Sequence, residues 1–255
     1  MVRKQKEQNI YLELVYFCCN SHKKCKELKL IKKDPYWNLS IDIMFGLQNS
    51  SLTTLSQTVN NIIQYDPNHI STYCLTIEEN TAFHKQGIKA IEANKELDQY
   101  KLIQKTLKKY NYKQYEVSSF SKKGFSCHHN KNYWEFGNFI GLGPSGHSFL
   151  KPYRYTNKAH LLNYCKNPKP PLFNETIKAI SKDDLLKEHI LANFRQLKGL
   201  NIKKINKTYN IDFEKLFNIE LNKLYKLNYI KKNKTHIKAT QKGLYMLNSL
   251  VSEFL

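Results

Sequence analysis

Arginine is scarce in this chain of 255 residues. Only Arg3, Arg154 and Arg195 occur among 41 basic residues, and 21 acidic residues leave a formal net charge of +20. Arginine is the side chain best suited to phosphates and base edges, and the lysines are scattered without a dense block. We therefore do not expect nucleic acid as the partner, although weak, salt-sensitive attraction to polyanions follows from the charge.

Long apolar runs are also missing. No stretch of 18 or more apolar residues occurs, so we expect no membrane span. The basic N-terminus lacks the apolar segment and small-residue cleavage site of a secretory signal. The cysteines do not form a disulfide framework, which favours a reducing, cytoplasmic location. They lie at irregular spacing, at positions 18, 19, 25, 74, 127 and 165.

Alternating strand and helix patterns predict an α/β fold. Apolar residues alternate in the predicted strands and recur every three or four residues in the predicted helices. Strands separated by helices of this length are typical of βαβ units with parallel strands, and ligands bind at the C-terminal ends of such strands. We predict strands at 39–45, 69–77, 113–118 and 138–143, and helices from Leu52 to about Asp66 and over 89–110.

The last third of the chain carries a different pattern. The sequence PKPP at 168–171 forces an extended backbone, and we interpret 153–181 as a linker. Three helices, a short hairpin and a final helix follow, which together predict a winged-helix-like domain over 182–255. The predicted helices cover 183–197, 201–209, 212–227 and 241–254, and the hairpin covers 229–238.

The densest group of chemically capable residues lies between Tyr115 and Leu150. This stretch combines histidines, a cysteine, aromatic residues and five glycines. Neutral imidazole is the commonest metal ligand, and glycine permits a close backbone approach to a ligand. Composition alone leaves two interpretations open: a binding site, or a loop whose histidines are merely hydrogen-bonded.

The order of residues adds a family resemblance. HHNKNYW followed by GLGPSGHS resembles the radical-SAM proteins related to oxygen-independent coproporphyrinogen III oxidase, and in particular their HemW branch of haem chaperones. Segments 38–52, 69–83, 195–205 and 239–254 follow in the same family order. The resemblance implies that 38–152 is the C-terminal part of a radical-SAM (βα) barrel. Residues 1–37 would then be an atypical N-terminal remnant.

The resemblance also implies a [4Fe–4S] cluster and S-adenosylmethionine, but the CxxxCxxC cluster motif is absent. Cys18, Cys19 and Cys25 lack its spacing, and we interpret them as structural. We therefore expect a chain that is N-terminally truncated relative to the family and that generates no radical alone. Whether it acts as an enzyme like the coproporphyrinogen dehydrogenases stays open. The family's adenosylmethionine-binding aspartate corresponds to Asp42, for which a solvated strand-end carboxylate is the alternative.

A second set of residues is linked by the resemblance to haem. Four residues match the HNxxYW element: His129, Asn130, Tyr133 and Trp134. The resemblance implies His129 as an axial ligand of haem iron, with Cys127 or His128 as substitutes, and aromatic rings against the porphyrin face. In the alternative interpretation, the two aromatic side chains hold the loop on the core while the imidazole hydrogen-bonds the backbone.

Three functional hypotheses result. The first is a HemW-like haem chaperone, or coproporphyrinogen III oxidase-like protein, of porphyrin metabolism that binds haem and passes it to haem-accepting proteins. The second is an inactive truncated remnant, because half a barrel leaves open sheet edges. The third is a winged-helix nucleic-acid-binding protein, against which the scarcity of arginine argues. Oxidative decarboxylation of coproporphyrinogen comes last, because the cluster motif is missing.

Overall fold

The computed structural model describes residues 11–16, 38–168, 177 and 179–255. The chain divides into two compact units, Met1–Ser126 and Cys127–Leu255. Three cysteines with a predicted structural role lie outside the described residues, and that prediction stays untested: Cys18, Cys19 and Cys25.

The described residues of the first unit form a five-stranded sheet and three helices. Its strands are β1 (Tyr11–Tyr16), β2 (Asn38–Phe45), β3 (His69–Cys74), β4 (Lys113–Gln114) and β5 (Ser119–Ser121). Its helices are α1 (Leu52–Gln64), α2 (Ala82–Lys85) and α3 (Ala93–Lys109). The strand order is β1-β2-β3-β5-β4. Strands β1, β2 and β3 are parallel, whereas β5 is antiparallel to both β3 and β4.

The predicted parallel arrangement is therefore correct for β2 and β3. The strand expected at 113–118 is much shorter, and although β4 runs in the same direction as β3, the antiparallel strand β5 lies between them. That segment forms β4 and then turns back. The amide of Tyr115 donates to the carbonyl of Ser119 over 3.2 Å, and the amide of Ser118 donates to Oε2 of Glu116 over 3.0 Å. A connection this short can join only antiparallel strands, because a parallel pair needs a crossover of a dozen residues or more.

One face of this sheet forms the core of the first unit. Alternate residues of β2 point to that face, and apolar side chains of α1 and α3 cover it. Ser51 begins α1 by accepting a hydrogen bond from the amide of Thr54, and Thr54 returns the bond in a capping box. The fully buried members of the core include Leu39, Ile41, Ile43, Val59, Ile62, Ile70, Ile103 and Leu107.

The second unit contains the HHNKNYW segment and the C-terminal helices. Its helices are α4 (His128–Trp134), α5 (Leu161–Lys166), α6 (Lys182–Phe194), α7 (Ile202–Tyr209), α8 (Phe213–Leu216), α9 (Asn218–Lys226), α10 (Gln241–Tyr245) and α11 (Leu247–Ser252). Its strands are β6 (His147–Leu150), β7 (Tyr153–Thr156), β8 (Leu200–Asn201), β9 (Ile230–Lys232) and β10 (His236–Ala239). Strands β6 and β7 form a hairpin, and a separate antiparallel sheet has the order β8-β10-β9.

The helices and hairpin predicted beyond residue 182 are confirmed within a few residues, with two of the helices divided in two. Three other expectations differ from the structure. The segment expected as a loop forms α4, and 138–143 makes only an isolated bridge between Phe139 and Phe149 instead of a strand. The predicted linker contains β7 and α5 in its described part. In the described ranges, no helix is both long and apolar enough to cross a bilayer.

Candidate functional site

The sheet face opposite the apolar core is polar, although most of it is buried. Because successive residues of a strand point to opposite faces, these side chains lie on one surface. In the register, Asp42 pairs with Ser71 and Ser40 pairs with His69. The buried polar members of this polar face are Ser40, His69, Ser71, Ser119 and Ser121, each at most 5% exposed.

A hydrogen-bonded row crosses the polar face. Nδ1 of His69 lies 3.0 Å from Oγ of Ser40, and Nε2 lies 2.8 Å from the hydroxyl of Tyr115. Burial lowers the pKa of His69 to about 4, so the imidazole is neutral at pH 7. Both of its nitrogens are used, which fixes the ring in the sheet and leaves it poorly suited to bind a metal.

Asp42 lies within β2, three residues before the strand ends at Phe45. The expected position at the strand end is therefore wrong. The side chain is half-buried and lies on the polar face beside Ser71. A carboxylate there can accept hydrogen bonds from hydroxyl or amino groups of a ligand.

The haem-associated element of the sequence forms α4 in the second unit. The rings of His129 and Tyr133, one helical turn apart, meet edge to face with centroids 4.7 Å apart. Tyr133 continues onto Phe139 at 4.5 Å. The imidazole of His129 is exposed, whereas Tyr133 and Phe139 are half-buried. This arrangement presents an accessible nitrogen ligand beside an aromatic surface.

Trp134, the last residue of α4, attaches that helix to α6 and the turn after it. The guanidinium of Arg195 lies 4.5 Å from the centroid of the indole ring. The carbonyl of Trp134 accepts hydrogen bonds from Nδ2 of Asn193 at 3.0 Å and from Nε2 of Gln196 at 2.6 Å. These contacts fix the end of α4 to the residues at the end of α6, as the alternative interpretation of Trp134 expects. A contact of Trp134 with haem stays a prediction.

Asn130, the remaining member of the element, lies in the middle of α4 and is half-buried. Cys127 is the N-cap of the helix and is also half-buried, whereas His128 is exposed. His129 and Tyr133 therefore lie on one short helix, and the proposed substitute ligands Cys127 and His128 lie at its start.

The GLGPSGHS turn is held by Asn157, which directly follows β7, and by Tyr164 of α5. Nδ2 of Asn157 donates to the carbonyls of Gly141 and Gly143 at 3.0 and 2.9 Å. The hydroxyl of Tyr164 accepts from the amide of Gly143 at 3.0 Å. A Cβ added at Gly141 would lie 2.3 Å from the carbonyl oxygen of His147, so the close approach of two chain segments requires glycine there. These contacts give the turn a structural role.

A buried histidine lies behind α4. His189 of α6 stacks on Phe136, with centroids 4.8 Å apart and an interplanar angle of 20°. Its Nδ1 lies 3.2 Å from the hydroxyl of Tyr209, which itself donates to the carbonyl of Leu185 at 2.9 Å. Nδ1 therefore carries the proton, and the buried Nε2 has no hydrogen-bond partner in the described part of the chain. Burial, with the charges of Lys151 and Lys204 as smaller causes, lowers the pKa of His189 to about 4.

Metal-binding side chains do not cluster in the part of the chain that the structure describes. No three His, Cys, Asp or Glu residues there could together hold a metal ion. The described cysteines are Cys74, Cys127 and Cys165, all free. Burial and the neighbouring Glu96 raise the pKa of Cys74 to about 12, which opposes the thiolate that an iron–sulfur cluster needs. The described residues therefore do not fit a [4Fe–4S] cluster.

Comparison with known proteins gives consistent matches. The HemN C-terminal domain family matches residues 180–246. The haem chaperone HemW of Buchnera aphidicola subsp. Schizaphis graminum is 32% identical over 237 residues, which cover 90% of this chain and 60% of that protein. HemW of Haemophilus influenzae is 30% identical over 232 residues, with 89% and 60% coverage. HemW of Bacillus subtilis is 25% identical over 224 residues, with 86% and 59% coverage.

A solved structure shows the class of fold. The coproporphyrinogen III oxidase HemN of Escherichia coli, described as a radical-SAM enzyme, superposes with a TM-score of 0.75 at 14% identity. The match covers 96% of this chain and 63% of that one. The chain thus has an α/β fold similar to that of HemN. The predicted resemblance to the HemW branch of the radical-SAM family is confirmed, and the chain spans about 60% of the length of the HemW proteins it matches.

The neighbours of Asp42 do not follow from the sequence patterns alone. Because β2 and β3 pair in parallel, Ser71 lies beside Asp42, and His69 lies beside Ser40. A signal for them exists in the sequence, because SIDIMF and HISTYC each alternate polar and apolar residues. The alternation indicates a polar face, but only the register shows which residues are neighbours.

Proposed function

We propose that this chain is a HemW-type haem-binding protein of porphyrin metabolism, with His129 as the axial ligand of the iron. One observation supports this most: an exposed imidazole on α4 stands against the Tyr133 ring, in a segment that matches the family's HNxxYW element. His129 is exposed, and its contact with Tyr133 is between the two rings. Haem iron commonly takes a histidine ligand.

The aromatic neighbours support a flat, apolar ligand. Tyr133 and Phe139 form a continuous ring surface that starts beside His129, and apolar rings of this kind can cover part of a porphyrin face. Asn130 and Trp134 complete the proposed site by position in the element. The contacts of Trp134 with Arg195, Asn193 and Gln196 would hold α4 in place when haem binds.

The proposal includes the finer architecture. The parallel strands β1, β2 and β3, with helices on one face, support a partial radical-SAM barrel over 38–152. The order α6, β8, α7, α8, α9, β9, β10 supports a winged-helix-like domain over 182–255. Residues 153–181 would connect these two parts. A cytoplasmic location is also part of the proposal.

For S-adenosylmethionine, we propose Asp42 alone as a binding residue. Its carboxylate lies on a polar sheet face where the buried hydroxyl of Ser71 has no partner within the described ranges, and this fits a polar ligand. Asp42 would accept hydrogen bonds from that ligand. The described residues do not fit the [4Fe–4S] cluster, and we assign no radical step to them. Haem-accepting proteins remain the proposed partners.

Haem titration tests the proposal. Adding hemin to the purified chain at micromolar concentration should shift the Soret band, and His129→Ala should weaken binding roughly tenfold, about 1.4 kcal/mol. His147→Ala is the matched control, because this exposed histidine is held by Thr156 through a 2.8 Å hydrogen bond. A missing Soret shift, or equal hemin affinity of the His129→Ala chain and the unsubstituted chain, would contradict the proposal.

The surface of α9 argues against the nucleic-acid alternative. In a winged-helix arrangement this helix takes the position that reads the groove. Here Ile219 is 78% exposed, and Leu216 just before the helix is 55% exposed. Apolar side chains at that position do not serve phosphate or base-edge recognition. The same helix also exposes Lys223 and Lys226, of which Lys223 pairs with Glu253.

A further inference from the structure

Ser71 differs from the other serines of the polar face. It is 1% exposed, and among the residues that the structure describes its buried Oγ has no hydrogen-bond partner. The neighbouring Ser40 hydroxyl, by contrast, bonds Nδ1 of His69 at 3.0 Å. A buried hydroxyl without a partner costs free energy, and nearly all such groups in native proteins are satisfied.

The position does not require a hydroxyl for folding. Ser71 lies in the middle of β3 with regular pairing to β2 on one side and to β5 on the other. Alanine would keep the backbone ladder and remove the unsatisfied group. The hydroxyl therefore weakens the ligand-free fold, and a bound partner beside it would remove that cost.

The register identifies where such a partner would bind. Asp42 and Ser71 are directly paired residues of parallel strands, so their side chains emerge next to each other on the polar face. A hydroxyl can donate one hydrogen bond and accept two, whereas a carboxylate only accepts. Together they suit a ligand group that carries both donor and acceptor atoms, such as a ribose hydroxyl.

We propose that Ser71 is a further residue that binds S-adenosylmethionine, through a hydrogen bond between its hydroxyl and a ligand hydroxyl or amino group beside Asp42. This inference rests on the proposed role of Asp42 and is independent of haem binding at α4. The hydroxyl is unsatisfied in the ligand-free chain and becomes satisfied when the ligand binds.

The test combines two measurements on the full chain with Ser71→Ala. Equilibrium dialysis against radiolabelled S-adenosylmethionine should show roughly three- to tenfold weaker binding, the loss of one hydrogen bond. The thermal midpoint without ligand should be unchanged or higher by about 2–4 °C, because an unsatisfied buried group is removed. A merely structural serine would not produce these opposite effects.

Ser148→Ala is the matched control. Ser148 is equally buried, but its Oγ accepts a hydrogen bond from the amide of Gly141 at 2.9 Å. Its loss should lower the thermal midpoint and leave adenosylmethionine binding unchanged. Equal affinity in Ser71→Ala, a lowered midpoint in that variant, or no binding by the unsubstituted chain at millimolar ligand would each overturn the inference. The hemin titration is unaffected by any of these results.

Discussion

Acid should destabilise the second unit through His189. The pKa of this buried imidazole is about 4 in the folded chain, against an ordinary value of 6.5. Between these two values the unfolded chain binds the proton and the folded chain does not. Stability is therefore complete above pH 6.5 and is lost as the pH falls toward 4. Protonation would place a second N–H at Nε2, where the ring has no acceptor.

The size of the effect follows from the shift. One pKa unit corresponds to about 1.4 kcal/mol, so lowering the pH from 7.5 to 5.0 should cost roughly 2 kcal/mol through this residue. His189→Gln removes the titrating group and keeps a donor for the hydroxyl of Tyr209. We expect urea unfolding of this variant to show a pH-dependent loss that is smaller by roughly 2 kcal/mol.

Two comparisons make the experiment decisive. His160→Gln replaces an exposed histidine and should retain the full loss of the unsubstituted chain. His69, whose pKa is also about 4 because of burial, destabilises the first unit over the same pH range and explains the loss that remains in His189→Gln. If His189→Gln shows the same pH dependence as the unsubstituted chain, the assignment of acid sensitivity to His189 is wrong.

Two further predictions concern the turn and the hairpin beside α4. Gly141→Ala should destabilise by about 1–3 kcal/mol, because its Cβ would overlap the carbonyl of His147; a thermal midpoint equal to that of the unsubstituted chain would contradict this. Arg154→Ala should cost about 0.5–1 kcal/mol and less at high salt, because the two bonds to Glu188, at 2.7 and 2.9 Å, are partly exposed. A loss that does not change with salt would contradict that second assignment.

The sequence predicts long regular elements well because their periodicity extends over many residues. Strand β2 and helix α1 were expected from alternation and from the spacing of Leu55, Val59 and Ile62, and all three side chains are buried. Strands β4 and β5 have two and three residues, too few for any period to appear. They are antiparallel to each other because the chain turns at Glu116, and the residue pattern of the two strands does not predict this turn.

The candidate site shows a similar limit. The residues of HHNKNYW were recognised by their order, but helix α4 was not expected, since histidine and asparagine favour helices weakly. Contacts with Asn193 and Gln196, about sixty residues later, hold its end. The pairing of Asp42 with Ser71 likewise depends on strand register, a long-range property that local sequence patterns do not contain.

The two outer strands of the described sheet have unequal capacity to recruit another backbone. Strand β4 has two residues and begins with an exposed lysine, and short, charged borders of this kind discourage strand addition. Strand β1 runs for six residues in parallel with β2. Among the described strands, β1 therefore offers the longer border to an added strand, whether from another part of a polypeptide or in unwanted aggregation.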